Sequence, residues 1–167
     1  MLKWLKRIMG YLFAPLGEYA PAGMFTGSHI AALLASAAGI FVALRKGADA
    51  DRETLRRRTR RFAVAVAALE LIKIIYNLAN GYTWPDAWVP LSFCSLFLYA
   101  LWMAGCCGGW LRRLGKAFLI FGTVTGGAAF LIFPTTSLMN YPAWHYLCLY
   151  SMLYHSSMVC FGVWYLR

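Results

Sequence analysis

The sequence predicts an all-α protein, a polytopic transmembrane bundle of about five spans preceded by an N-terminal amphipathic segment. Of its 167 residues, 61% are hydrophobic and 13% are charged, which is typical of a membrane protein rather than a soluble domain. Five apolar stretches approach the ~20 residues that cross a bilayer core. Their predicted limits are residues 28–44, 62–79, 90–104, 117–133 and 143–166. Because no polar stretch is long enough to fold separately, we expect an interfacial segment at residues 1–26 and one transmembrane domain at residues 27–167.

The N-terminal residues 1–13 place three basic side chains among Leu, Ile and Trp, a pattern typical of an amphipathic helix lying in the membrane interface. The basic start followed by apolar residues is also a feature of signal peptides. No small-residue cleavage site follows, however, and Pro15 and Glu18 interrupt the apolar run. We therefore expect this segment to be retained.

Several of the predicted spans contain residues that indicate how the helix starts, ends or packs. The first is rich in Ala and Gly, and the third begins at Pro90, which suits a first helical turn. The fourth ends at Pro134 and carries Gly122, Gly126 and Ala129 at four- and three-residue spacings, which predicts a close helix–helix contact on that face. The fifth is the longest of the five and contains His155.

The positive charges predict the orientation of the bundle. Eight of the sixteen Lys and Arg lie at residues 45–61 and three more at residues 112–116, whereas residues 81–89 and 135–142 contain none. This alternation places the basic loops in the cytoplasm and the N-terminus outside, and the expected location is the inner membrane of a bacterial cell. The net charge of +10 therefore does not predict nucleic-acid binding.

Two further features belong to the membrane surfaces. Aromatic residues near the outer ends of the spans predict an interfacial belt; they are Tyr82, Trp84, Trp88, Tyr141 and Trp144. A cluster of arginines at the cytoplasmic side is a candidate for binding anionic lipid head groups; it consists of Arg56, Arg57, Arg58, Arg60 and Arg61. Membrane lipids are the expected partners.

Glu70 and Lys73 are the most informative residues, because both lie within the second apolar span. An ionisable side chain near the bilayer centre costs roughly 2.5–3.5 kcal/mol on translocon-insertion scales. Residues three apart share one helical face, and Asn77 extends this polar stripe. Such a stripe has two interpretations. It is either a binding site or pathway, or a structural ion pair that fixes helix packing.

Polar residues at three other places in the chain are candidates for chemistry or binding. Ser92 and Cys94 lie at the start of the third span, where a helix would place the serine and the thiol on different faces. His155 shares a stripe with Ser151 in the last span, and with Cys94 it would form a nucleophile–base pair. His29, at the start of the first span, is either an interfacial cap or a site residue.

Chemistry that needs a metal or a cofactor is not predicted. The five cysteines, at positions 94, 106, 107, 148 and 160, lack zinc-site spacing and do not form a secreted disulfide framework. A buried cysteine in a span is most often a small hydrophobe without a catalytic role. No phosphate-binding loop or serine-hydrolase motif is present.

Several motifs in a fixed order resemble the YwaF-like integral membrane family. They are FTGSH at residues 25–29, Glu70 with Lys73, PLSFC at residues 90–94, FGTVTGGA at residues 121–128 with FP at residues 133–134, and His155. The family is largely uncharacterised in bacteria, and it includes a eukaryotic transmembrane acyltransferase that remodels ether phospholipids through a membrane-embedded cysteine. The resemblance covers nearly the whole chain.

The resemblance implies roles for particular residues. Cys94 would accept the acyl group, His155 would be its base, and Glu70 and Lys73 would hold the pocket or a head group. The chain departs from the family where bacterial relatives usually have His in place of Ser92. Relatives also continue past the His-bearing helix. Either a second copy or another subunit supplies the missing spans, or the bundle is a reduced one.

Two function hypotheses follow from the sequence. The first is a thiol-dependent phospholipid acyltransferase or transacylase. The alternative is a small solute- or lipid-binding membrane subunit of a transporter-like complex, in which the polar residues line a pocket without reacting. The discriminating residue is Cys94, because an enzyme needs its sulfur and a binding subunit does not.

Overall fold

The computed structural model describes residues 2–82, Pro85 and 89–167, and in these residues it is all-helical. The helices are α1 Leu2–Leu12, α2 Gly27–Lys46, α3 Arg52–Ala79, α4 Leu96–Cys106, α5 Gly109–Ile132 and α6 Tyr146–Leu166. The all-α prediction is thereby confirmed, and α1 forms within the predicted amphipathic segment. The predicted belt residues Trp84 and Trp88 lie outside the described residues.

Four of these helices, α2, α3, α5 and α6, are long and apolar enough to cross a membrane. The third predicted span, residues 90–104, overlaps α4, which has only 11 residues. At about 1.5 Å per residue, α4 is roughly 16 Å long, about half of a ~30 Å hydrocarbon core. The bundle therefore combines four membrane-length helices with one short apolar helix.

Helix α6 lies at the centre of the bundle. It packs against α5, α2 and α3, while α4 packs between α3 and α5. The main core cluster joins Phe97 and Leu101 of α4 to Tyr154, Met158 and Phe161 of α6. Helix α2 joins the bundle mainly through its contact with α6, and most of its side chains face outward.

The basic stretches are largely helical, which corrects the prediction that they form loops. Asp51 caps α3, because its carboxylate accepts the N–H of Thr54 at 2.9 Å, so the helix begins ten residues before the predicted span. Only Cys107 and Gly108 separate α4 from α5, and the second basic stretch occupies the first two turns of α5. Arg and Lys are good helix formers, so leaving the membrane does not end a helix.

The prediction that the third span starts as a helix at Pro90 is wrong. Residues 90–95 form an irregular turn, and α4 begins at Leu96. The hydroxyls of Ser92 and Ser95 lie 2.8 Å apart, and the N–H of Leu96 donates to the carbonyl of Ser92 at 3.2 Å. Serine hydroxyls form such local bonds in competition with a regular helix. The helical spacing that separated Ser92 from Cys94 therefore does not apply.

The close contact of α5 with α6 uses a helix face next to the one that was predicted. The buried face carries Gly115, Thr123 and Gly127 at intervals of eight and four residues. A Cβ on Gly127 would lie 2.7 Å from the carbonyl oxygen of His155, so only glycine permits this approach to α6. The predicted Gly126 instead faces the ring of Phe93, where a Cβ would lie at 3.0 Å.

The two ends of the bundle differ in charge. At one end, which we call the basic end, the Nε of Arg56 donates to the carbonyl of Gly105 at 3.0 Å and Lys116 approaches the ring of Tyr165. At the opposite end, the segment before α2 pairs with the loop before α6, as in the N–H of Ala22 donating to the carbonyl of Tyr141 at 3.0 Å. The prediction that the basic stretches lie on one side of the membrane agrees with this arrangement. Their position in the cytoplasm stays a prediction.

Candidate functional site

A cavity of about 630 Å³ lies between α3, the turn before α4, α5 and α6, on the side away from the basic end. It brings together residues that lie far apart in the sequence. Seven of the eight residues predicted for the site line it: Glu70, Lys73, Asn77, Ser92, Cys94, Ser151 and His155. Cys94 and His155 therefore share one cavity, although 60 residues separate them in the sequence.

His155 is buried and its ring is held in a defined orientation. Its Nδ1 lies 2.7 Å from the carbonyl oxygen of Ser151, and a carbonyl only accepts, so Nδ1 carries the proton and donates. The ring of Phe130 stacks on the imidazole with centroids 3.6 Å apart and planes 7° apart. The other nitrogen, Nε2, then carries a lone pair, and it has no hydrogen-bond partner among the described residues.

Cys94 is half-buried in the turn that precedes α4. Its carbonyl oxygen accepts a hydrogen bond of 2.9 Å from the hydroxyl of Tyr154, the residue next to His155. This bond anchors the Cys94 turn against α6. The N–H groups of residues 95–98 already donate within this turn, which leaves the N–H groups of Phe93 and Cys94 as its donors near the thiol in the described structure.

Glu70 and Lys73 form an ion pair through Oε1 of the carboxylate. The second oxygen, Oε2, accepts a 2.6 Å hydrogen bond from the hydroxyl of Tyr150. One turn earlier on α6, the hydroxyl of Tyr146 donates to the carbonyl of Leu69 at 2.5 Å. The carboxylate thus joins α3 to α6 through Oε2, while Oε1 pairs with Lys73 within α3. The Lys73 side chain is 23% exposed, so its ammonium group retains donors for a ligand.

Sequence reasoning missed three aromatic residues of the site, Tyr150, Tyr154 and Phe130. The two tyrosines belong to a series with Tyr146 at four-residue spacing, which places all three hydroxyls on one face of the last span. That series, facing an intramembrane carboxylate, was an available signal in the sequence. No signal in the sequence pointed to Phe130, because its role depends on how α5 packs against α6.

His29 does not line the cavity. Its Nδ1 accepts the N–H of Phe25 at 2.9 Å, and its Nε2 lies 2.9 Å from the carbonyl of Leu131, to which it donates. The ring is completely buried, with both nitrogens engaged. His29 thus joins the start of α2 to the end of α5, which corresponds to the capping alternative and not to a residue of this cavity.

In the described part of the chain, no group of three or more His, Cys, Asp or Glu side chains is positioned to hold a metal ion. The polar groups in the cavity are a thiol, an imidazole, hydroxyls and one ion pair. This set suits proton transfer and hydrogen bonding to a ligand.

A polar cavity enclosed by apolar helices of membrane length defines an integral membrane protein of the helical-bundle class. The family model described as the TMEM164 family matches residues 24–166, and the chain belongs to that family. The match extends over α2 to α6 and includes every cavity-lining residue except Leu16. Searches of curated proteins and of solved structures gave no match. The resemblance to YwaF-like proteins stays a prediction.

Proposed function

We propose that this protein transfers acyl groups between membrane phospholipids through a thioester on Cys94. The observation that carries the proposal is the shared cavity, which is lined both by a thiol from the turn before α4 and by an oriented imidazole from α6. Nucleophilic catalysis needs a nucleophile, a base and a group that orients the base. Here these are Cys94, His155 and the carbonyl of Ser151.

In this proposal His155 carries the proton transfers, which its donating Nδ1 and unpaired Nε2 support. Its Nε2 takes the proton from the Cys94 thiol, and the sulfur attacks the ester carbonyl carbon of a phospholipid. The ester C–O bond breaks, the leaving alkoxide receives the proton from Nε2, and a lysophospholipid departs. The hydroxyl of a second lysophospholipid then gives its proton to Nε2 and attacks the thioester, which regenerates the thiol. In this proposal the N–H groups of Phe93 and Cys94 receive the negative oxygen of each tetrahedral intermediate.

The mouth of the cavity suits a molecule with an apolar chain and a polar head. Leu16 and Phe93 line it and are 49% and 55% exposed, so the opening has apolar walls facing outward. Exposed Thr136 and Asn140 form its polar part on the loop between α5 and α6. Lipid chains would enter along the apolar walls while the head group stays at the polar loop.

The remaining cavity residues bind the substrate in this proposal. Lys73 offers a positive charge to the lipid phosphate, and its ion pair with Glu70 keeps that charge in place when the cavity is empty. Ser92, Asn77 and Ser151 provide short polar side chains for the glycerol and ester oxygens. With the basic end in the cytoplasm, the cavity opens toward the outer leaflet.

Intact-protein mass spectrometry after incubation with phospholipid tests the proposal. The wild type should gain the mass of an acyl group that hydroxylamine removes, and Cys94→Ala should not. Cys106→Ala is the matched control, because Cys106 is exposed at the basic end and should leave the adduct unchanged. His155→Gln should slow formation of the adduct by about 10²–10⁴-fold, the usual contribution of a general base.

Two outcomes would contradict the proposal. One is an adduct that persists in Cys94→Ala. The other is no adduct on the wild type together with no acyl transfer in a turnover assay, while lipid co-purifies equally with wild type and Cys94→Ala. The second outcome would favour the lipid-binding subunit without catalysis.

A further inference from the structure

A second cavity, of about 860 Å³, lies at the basic end and shares no lining residue with the Cys94 cavity. It is enclosed by the α2–α3 connection, the starts of α3 and α5, and the end of α6. Five cationic and two acidic side chains line it. The cations are Arg52, Arg56, Arg112, Lys116 and Arg167, and the acids are Asp51 and Glu53.

Three of these cations are half-buried and are held in place by neighbouring groups. The Nε of Arg56 donates to the carbonyl of Gly105 at 3.0 Å, and the Nε of Arg112 donates to the carbonyl of Cys107 at 2.9 Å. The ammonium of Lys116 lies 5.9 Å from the ring centroid of Tyr165, within cation–π range. A guanidinium has five N–H donors, so each arginine keeps donors for a ligand after this bond.

No carboxylate forms an ion pair with these cations in the described part of the chain. Among the described residues the only ion pair joins Lys73 and Glu70, far from the basic end. Asp51 lines the cavity, but its carboxylate caps α3 through the N–H of Thr54. Glu53 is exposed and forms no ion pair within the described residues. Like charges gathered without a partner repel one another, and a bound anion removes that cost.

The sequence proposed a different set of arginines for anion binding. Of that set, Arg57, Arg58, Arg60 and Arg61 are exposed and do not line the cavity, although Arg60 also donates to the carbonyl of Gly105 at 3.4 Å. Only Arg56 belongs to both groups. A surface arginine attracts anions diffusely, whereas an oriented guanidinium inside a cavity selects a group of defined shape.

We propose that the basic cavity binds a phosphate group through Arg56, Arg112 and Lys116. Arginine pairs with phosphate oxygens in a forked geometry and lysine acts as a point charge, so the three together match a tetrahedral anion. Basic pockets between transmembrane helices bind the head groups of anionic lipids. The phosphate belongs either to such a lipid or to a soluble phosphate compound, and the experiment separates these sources.

Native mass spectrometry of the purified full chain in detergent tests the site with three probes: phosphatidylglycerol, phosphatidylcholine and inorganic phosphate. Lys116→Gln removes a charge that makes no backbone hydrogen bond in the described structure, so its effect on folding is small. The matched control is Arg113→Gln, three residues earlier on α5, where the side chain is exposed and outside the cavity. Arg112→Gln is a second variant in case Lys116→Gln is unstable.

We expect wild type and Arg113→Gln to bind one phosphatidylglycerol equally, and Lys116→Gln or Arg112→Gln to bind it about 10- to 100-fold more weakly, the range of one charge-assisted hydrogen bond. If inorganic phosphate competes for the site, with the same loss in Lys116→Gln, the source is a soluble phosphate; if it does not, the source is a lipid. Equal binding by all variants, or an equal loss in Arg113→Gln, would overturn the proposal.

Discussion

Replacing Gly127 with alanine tests whether the close contact of α5 with α6 positions His155. The added Cβ would lie 2.7 Å from the carbonyl oxygen of His155 and 3.0 Å from Cβ of Met158 and Cγ2 of Val159. Ordinary contact begins near 3.4 Å, and the oxygen belongs to a helix backbone that cannot rotate away. The helices must therefore separate by several tenths of an ångström at the residue that carries the base.

The magnitude follows from two opposing effects. Overpacking of this kind costs about 1–3 kcal/mol, and a helical Gly→Ala change returns up to about 1 kcal/mol. Because the nearest atom belongs to a helix backbone, the cost lies in the upper part of this range, about 2–3 kcal/mol. The net loss is then about 1–2 kcal/mol, which at roughly 2–4 °C per kcal/mol for a chain of this size lowers Tm by about 2–8 °C. In the control Gly39→Ala, no atom lies within 4 Å of the new Cβ, so Tm should stay or rise.

Thermal unfolding of the two purified variants in the same detergent measures the difference. The Gly127 variant should also form the Cys94 adduct more slowly, because the separation moves the imidazole relative to the thiol. A Tm for Gly127→Ala equal to or above that of Gly39→Ala would refute the reasoning, since the contact would then tolerate a side chain.

Two further predictions concern polar groups. Tyr150→Phe leaves Oε2 of Glu70 buried without its donor, so it should lower the free energy of unfolding by about 1.5–3 kcal/mol. The control Tyr99→Phe changes an exposed side chain and should lower it little. Equal stabilities of the two variants would contradict this prediction. Hydrogen bonds from the side chain and backbone of Thr54 hold the pKa of Asp51 below its ordinary 3.8. This cap is therefore complete above about pH 4 and is lost as pH falls through the lowered pKa. Hydrogen exchange in the first turn of α3 should accelerate on acidification relative to Asp51→Asn, and identical pH profiles would argue against the cap.

The sequence predicted the long helices well because their signals are local. The second span was predicted to end at residue 79, where α3 ends, and the first to start at residue 28, one residue after α2 begins. Apolar length and flanking charge define such limits without tertiary information. The same criteria failed at residues 90–95, because an apolar run does not distinguish a helix from a turn stabilised by Ser92 and Ser95.

The packing face of α5 illustrates a second limit. Gly126 and Gly127 are adjacent, so they differ by about 100° around the helix. Outward-facing positions in a membrane helix are as apolar as buried ones, and the pattern around either glycine therefore fits a contact. Only the facing surface of α6, where the carbonyl of His155 approaches, decides which glycine is required.

The cavity itself depends on long-range contacts that no spacing encodes, yet the polar residues of α6 explain where it forms. An unpaired polar group costs several kcal/mol in a bilayer, so each buried one should find a partner. Its tyrosine hydroxyls do so on other helices and turns: Tyr146 with Leu69, Tyr150 with Glu70, Tyr154 with Cys94 and Tyr165 with Thr59. The buried groups left unpaired among the described residues of α6 are Nε2 of His155, Oγ of Ser156 and Nε1 of Trp164. Of these three, only the histidine nitrogen is a base, and only His155 lines the cavity that Cys94 also lines. An imidazole kept unpaired at that cost in the Cys94 cavity supports the proposal that it serves a reacting group or a ligand.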